Sequence, residues 1–221
     1  MERYCELNEI SDGKLYKSKD MVKIGSNDCK GCSQCCRTVG DSILLDPYDI
    51  YALTNHLGTT MQILLQEKLE LRVVDGLILP NIRTENEQGG CGFLDEAGRC
   101  TIHSARPGFC RMFPLGRYYE DGGFQYILQV HECPYPYKTE VQIEKWLGIA
   151  DLERYEKYIC DWHYFILHLQ HRIKEGVEDT LIKQINMYIL QIFFFLPYED
   201  GEDFYTQFYR RLTKAMDEIE L

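Results

Sequence analysis

The 221-residue chain has no apolar run approaching the roughly 20 residues that a membrane-spanning helix requires. Its most apolar stretch, residues 189–196, is interrupted by Gln191 and stopped by Pro197, so it reads as the buried end of a helix in water. An apolar leader is also missing. The opening MERYCELNEISDGK is polar and charged, which predicts no signal peptide, no membrane partner and a cytoplasmic location. Cations are scarce: 24 Lys and Arg face 35 Asp and Glu, a net charge of −11. Nucleic acid is therefore excluded as an expected partner, because such binding draws its affinity from neutralising phosphates. A nucleophile elbow, a P-loop, a dinucleotide-binding glycine fingerprint, internal repeats and low-complexity tracts are all absent from the sequence.

Thiols, by contrast, are dense. Cys29, Cys32, Cys35 and Cys36 fall within the eight residues CKGCSQCC, and Cys91, Cys100, Cys110 and Cys133 follow downstream. Of the ten cysteines, only Cys5 and Cys160 lie outside this set. A disulfide framework would require an oxidising compartment, which the polar N-terminus does not suggest, and vicinal Cys35 and Cys36 could bridge each other only under strain. Metal chelation is the expected use, with all eight clustered cysteines as ligands. Cys5 sits alone in a polar terminus, and Cys160 follows the helical sequence ERYEKYI as a small buried hydrophobe, so neither is expected to bind metal.

Two ligand chemistries fit. Three cysteines at successive two-residue gaps form the loop that wraps an iron-sulfur cluster, expected as [4Fe-4S], and Cys133, followed by Pro134, is a candidate fourth ligand. Consecutive side chains tend to diverge, so Cys36 is expected either to join Cys91, Cys100 and Cys110 in a second centre or to act as an alternative ligand. Alternatively, eight thiolates make two closed Zn2+ sites of four cysteines each. Among the histidines, His131 is a candidate ligand or hydrogen-bonding neighbour, His103 a packing residue, and His168 and His171 a solvated helix face. Residues 29–117 hold nine Lys or Arg against ten Asp or Glu, and Arg37, Arg99, Arg106 and Arg111 are placed to offset nearby thiolate charge.

The pattern C-x2-C-x2-C-C, then Cys91 with Phe93, Cys100 with Ile102 and His103, and Arg106, Pro107, Cys110, Arg111, Phe113 and Pro114, resembles the YkgJ-type CxxCxxCC cysteine-cluster family. The resemblance covers about residues 29–133 and implies a zinc- or iron-chelating domain. Distant cysteine-rich relatives look like protein lysine methylases, but no glycine-rich nucleotide loop follows a strand here to carry over a methyl-donor site.

The expected fold is α+β: a cysteine-rich metal-binding domain of short hairpins, loops and two helices, with a mainly helical C-terminal part. The chain divides into an N-terminal extension at 1–28, the cysteine-cluster domain at 29–138 and a helical region at 139–221. Asp46, Pro47 and Gly58 predict a helix over 47–57, and a second helix is expected from 60 to about 71. Turn sequences predict hairpins within 71–80, 91–102 and 117–130. Helices are expected over 141–147, 152–159 and 161–175, and two more on apolar stripes from Leu181 to Phe195 and from Phe204 to Ile219. The chain is thus expected to hold an iron-sulfur cluster or zinc and to act as a redox or modifying metalloenzyme on a small-molecule or protein substrate. The alternative is a structural zinc module whose helical half binds a protein partner.

Overall fold

The computed structural model describes residues 7–27, 32–38, 40, 42–84, 90–130 and 132–219. In chain order it contains α1 (Leu7–Ile10), β1 (Met21–Gly25), α2 (Gln34–Arg37), α3 (Pro47–Leu57), α4 (Met61–Glu67), β2 (Leu69–Val74) and β3 (Leu77–Ile82). There follow α5 (Gly108–Met112), β4 (Leu115–Glu120), β5 (Gly123–Leu128), β6 (Thr139–Gln142) and α6 (Ile143–Leu147). The chain then runs through α7 (Leu152–Gly176), α8 (Asp179–Ile189), a π-helical turn at Leu190–Phe195 and α9 (Phe204–Glu218). The strands form three two-stranded antiparallel sheets, β1–β6, β2–β3 and β4–β5. The class is α+β, as the alternation of turn-bounded strands and apolar helical stripes implies.

Two compact units divide the chain, and both are discontinuous. The first comprises residues 1–40, 84–103 and 108–161, the second 41–83, 104–107 and 162–221. Neither boundary of the sequence division, at 28 or at 138, coincides with them. Residues expected as an extension are woven into the first unit: β1 pairs with β6, matching Val22 to Val141, and single bridges join Ser11 to Gln129 and Tyr16 to Tyr126. The reason is burial. Val22 and Ile24 point inward and join Met112, Leu115, Tyr126, Ile143 and Leu147 in this unit's core. That pairing also explains why 141–147 begins as a strand and turns helical only at Ile143.

In the second unit α3 forms as expected. Asp46 accepts from the Asp49 amide at 2.9 Å, Asp49 reciprocates at 3.2 Å, Pro47 occupies the first turn and Gly58 caps the end in the left-handed conformation. Helix α4 is capped by Thr60 but ends at Glu67 rather than near 71, because Leu69 is already laddered to Ile82 and tertiary pairing overrides helical spacing. Helix α7 is one continuous element where the sequence suggested two. No Pro or Gly interrupts residues 152–175, and the buried stripe Tyr155, Tyr158, Ile159, Trp162, Phe165, Ile166, Leu169 runs unbroken through Cys160. The apolar run at 189–196 lies in the π-helical turn, with Phe193 and Phe194 buried among Trp162, Phe165 and Phe208.

Buried amides tie the β2–β3 hairpin into this unit. Asn186 of α8 accepts from the Ile78 amide at 2.5 Å and donates to the Gly76 carbonyl at 3.0 Å, while Gln170 donates to the Val74 carbonyl at 3.1 Å. The hairpin turn requires positive φ at both central residues, Asp75 (50°) and Gly76 (87°). A Cβ at Gly76 would lie 2.7 Å from Ile173 Cγ2. Gly76→Ala is therefore expected to cost about 2–3 kcal/mol, from left-handed strain plus overpacking. Equilibrium urea unfolding checks this, and an unchanged midpoint would show that the turn relaxes freely.

Among the described residues, no helix is long and apolar enough to cross a membrane.

Candidate metal centre

Cys35, Cys36, Cys91, Cys100 and Cys110 of the first unit are carried by three short pieces of backbone. The first is the single turn α2, where the amides of Cys36 and Arg37 both donate to the Ser33 carbonyl, at 3.0 and 3.1 Å. Arg37 Nε bonds back to Ser33 Oγ at 3.0 Å, locking the turn. The second piece is the tight turn around Asp95, closed by the Gly98 amide on the Asp95 carbonyl at 2.8 Å and the Arg99 amide on Asp95 Oδ1 at 2.7 Å. It carries Cys91 and Cys100, the latter bridged to Leu94, and makes a single bridge there rather than the full hairpin expected for 91–102. The third is α5, which presents Cys110 and is held by Trp146 Nε1 on the Met112 carbonyl at 3.4 Å and Arg111 on the Leu147 carbonyl at 3.3 Å.

These pieces meet. The Cys91 amide donates to the Cys36 carbonyl at 2.8 Å, joining the second piece to the first. Gly98, with φ of 71°, has no side chain where Arg37 Nη2 passes, so a Cβ there would clash with the guanidinium. Sequence reading passed over this glycine as a turn former; its second role shows only once Arg37 lies against it.

The sulfurs of Cys35 and Cys36 stand 4.0 Å apart and share a hydrogen bond. They do not diverge as consecutive side chains on an extended strand would, because on a helical turn successive residues are only about 100° apart around the axis. Two thiolates on one tetrahedral ion with bonds of about 2.3 Å sit about 3.8 Å apart, so this pair has the spacing that one ion demands. The shared hydrogen bond pulls the Cys35 thiol down to about 7 against the opposing effect of burial, with help from the backbone amides of Cys35 and Cys36. Cys36 is pushed strongly upward by the same bond, by burial and by the negative charge of Cys35, Cys110 and Cys91 around it. The influence of Cys91 and Cys110 on Cys36 puts both in its neighbourhood, and a cation bound by such thiols displaces their protons.

Arg37 is engaged with Ser33 and Arg111 with the Leu147 carbonyl, so both brace the thiol-bearing turns.

Of the eight cysteines singled out, Cys35, Cys36, Cys91 and Cys110 are brought together, and Cys100 is held across the same turn as Cys91. Cys32 enters α2 and Cys133 lies in the irregular stretch after β5; both are half-buried, and no described hydrogen bond links their sulfurs to the four. Cys29 lies outside the described residues, as do Cys5 and His131. Cys160 is elsewhere on the first unit, its thiol donating to the Gly122 carbonyl at 3.2 Å. His103 sits in a single 3-10 turn, and His168 and His171 are exposed on α7. Among the described residues every cysteine is unbridged, and no three Cys, His, Asp or Glu are drawn close enough to enclose one ion.

The donor set is all soft sulfur, suited to zinc, iron or iron-sulfur centres rather than to the hard cations that take oxygen. Residues 28–134 match the CxxCxxCC family, described as "Putative zinc- or iron-chelating domain". No curated protein and no solved structure matches the chain. The matched segment contains all eight clustered cysteines, the α2 turn, the Asp95 turn and α5. By motif and by the thiols it gathers, the segment 28–134 belongs to the CxxCxxCC family of zinc- or iron-chelating domains.

Proposed function

We propose that the chain is a metalloprotein whose Cys35, Cys36, Cys91 and Cys110 hold a single zinc or iron ion. The observation that carries this reading is the 4.0 Å approach of the Cys35 and Cys36 sulfurs beside Cys91 and Cys110. Thiolates on separate irons of a cluster point outward from its corners and stand farther apart than the edge of one tetrahedron. A four-thiolate site with all positions filled is closed, and with zinc it contributes folding free energy and no redox chemistry.

A second reading rests on the spacing of Cys29, Cys32 and Cys35, which suits three corners of a [4Fe-4S] cluster with Cys133 as the remaining ligand. Under it the protein is a redox or modifying enzyme, and Cys36, Cys91, Cys100 and Cys110 form a separate centre. A cytoplasmic location accords with either reading.

Purification without oxygen, followed by metal analysis, an absorption spectrum and an acid-labile sulfide assay, separates the two. Near-stoichiometric zinc in colourless protein, or iron without labile sulfide, is the expected result. Brown protein with about four irons and four sulfides per chain would overturn the one-ion reading and establish the cluster.

A further inference from the structure

Cys35 and Cys36 are neighbours in sequence as well as in space. Their sulfurs stand 4.0 Å apart on the single turn α2, and a disulfide bond of about 2.0 Å requires them to approach by only about 2 Å. Both thiols are half-buried, so a small oxidant reaches them. The backbone is less accommodating than the sulfurs. Consecutive Cα atoms lie about 3.8 Å apart across a trans peptide, below the range of about 4.4–6.8 Å in ordinary disulfides, so a bridge closes only if the 35–36 peptide twists out of helical geometry. That peptide carries the Cys36 N–H, whose bond to the Ser33 carbonyl at 3.0 Å helps to close α2. The carbonyl of Cys36 in turn accepts the Cys91 amide at 2.8 Å, the joint between two thiol-bearing pieces. A helix of four residues has few backbone bonds to resist unwinding. The bridged turn and the helical turn are therefore alternative states of one segment.

We propose, on the reading that Cys35, Cys36, Cys91 and Cys110 hold one ion, that peroxide converts Cys35 and Cys36 to a reversible vicinal disulfide and that this step expels the ion. One thiolate sulfur attacks the O–O bond of hydrogen peroxide and takes one oxygen as a sulfenic acid, while the other oxygen leaves as hydroxide. The second sulfur then attacks the first. The S–S bond forms, the S–O bond breaks and a second hydroxide leaves. Two protons from solvent convert both hydroxides to water, so the sulfurs lose two electrons and the peroxide gains them. Only a thiolate ligates well, and a disulfide carries no negative charge. Cys91 and Cys110 alone then face the ion, too few to enclose it. Unwinding α2 also pulls on the Cys36 carbonyl that holds the Cys91 amide, parting the two pieces. Strain makes the bond easy to reduce, and strained bridges are the labile, regulatory ones. The adjacency that unfits this pair for a structural bridge thus suits it to a reversible one.

Zinc-loaded full-length protein, treated with hydrogen peroxide, alkylated and digested with trypsin, tests this. Cleavage after Lys30 and Arg37 releases the peptide GCSQCCR, which holds Cys32, Cys35 and Cys36. The expected product carries a single alkyl group, on Cys32, and lacks the two thiol hydrogens of Cys35 and Cys36. About one zinc per chain should leave at the rate at which this peptide appears, and dithiothreitol followed by zinc should restore both. Cys32→Ser should form the same bridge. Its loss in that variant, or an alkyl group on Cys35 or Cys36 in place of Cys32, would assign the reaction to a Cys32 pair and overturn the proposal. So would a peptide with all three thiols alkylated after peroxide, or one bearing sulfinic acid. If wild type binds zinc and Cys36→Ser does not, those results leave the one-ion reading standing. Zinc retained while the bridge forms would instead show that the ion is held by other residues, overturning that reading and the proposed release together.

Discussion

Cys36→Ser is expected to lower the affinity for zinc or iron by at least about 100-fold, while Cys160→Ser leaves metal content intact. Cys36 sits at the junction of the thiol-bearing pieces: its sulfur adjoins Cys35, its charge is coupled to Cys91 and Cys110, and its carbonyl accepts the Cys91 amide. A serine oxygen is a harder ligand that holds its proton, so the site loses both a bond and a charge, whereas loss of an outer-shell partner alone costs about 10–100-fold. Structural consequences follow, because residues 32–38 and 90–103 bury few large apolar side chains, chiefly Phe93 and Ile102. With so little core of their own, these turns depend on the metal to stay closed. Chelator treatment of the wild type should accordingly raise amide hydrogen exchange across 32–38 and 90–110 before it affects α8 and α9. Full metal content in the Cys36 variant, loss of metal from the Cys160 variant, or metal release with no change in exchange there would each sink this account.

Arg211→Met should destabilise the second unit by about 3 kcal/mol, the range for removing one partner of a buried charged hydrogen-bond network. Arg211 is 8% exposed and donates to the carbonyls of Ile192 and Leu196, both at 2.8 Å, and Pro197 at 2.6 Å. Its guanidinium also stacks 3.8 Å above the Tyr198 ring. These carbonyls end the π-helical turn, where the chain has no continuing helix to satisfy them. Methionine keeps the volume and strands the acceptors. Lysine should fail to rescue, since one ammonium cannot fan across three oxygens and stack as the planar fork does. Thermal or urea unfolding followed at the helical signal reads the effect, and a loss below about 1 kcal/mol would mean that water replaces the guanidinium.

Several features were legible in the residues alone because their causes are local. Asp46, Pro47 and Gly58 bound α3 through contacts within a few residues, and the Asp75–Gly76 and Asp121–Gly122 pairs take the positive φ values that turn a two-residue hairpin. The thiol spacing and the Arg-Pro context around Cys110 identified the family without any coordinates. Helix ends were read less well wherever a distant partner competed. Leu69 left the α4 pattern to pair with Ile82, Val141 left the α6 pattern to pair with Val22, and α7 ran through Cys160 because nothing local stops it and the buried stripe continues.

By itself the sequence determined the metal-chelating character, the α+β class and the absence of any long apolar helix, since each depends on composition, short-range spacing or single-residue backbone preference. Only the tertiary structure decided that residues 7–27 belong to the cysteine-bearing unit, that Cys35 and Cys36 converge to 4.0 Å, and that Arg37 and Arg111 brace turns. Those outcomes depend on which distant backbone groups and apolar faces find each other, a competition among long-range pairings whose winners no local spacing encodes.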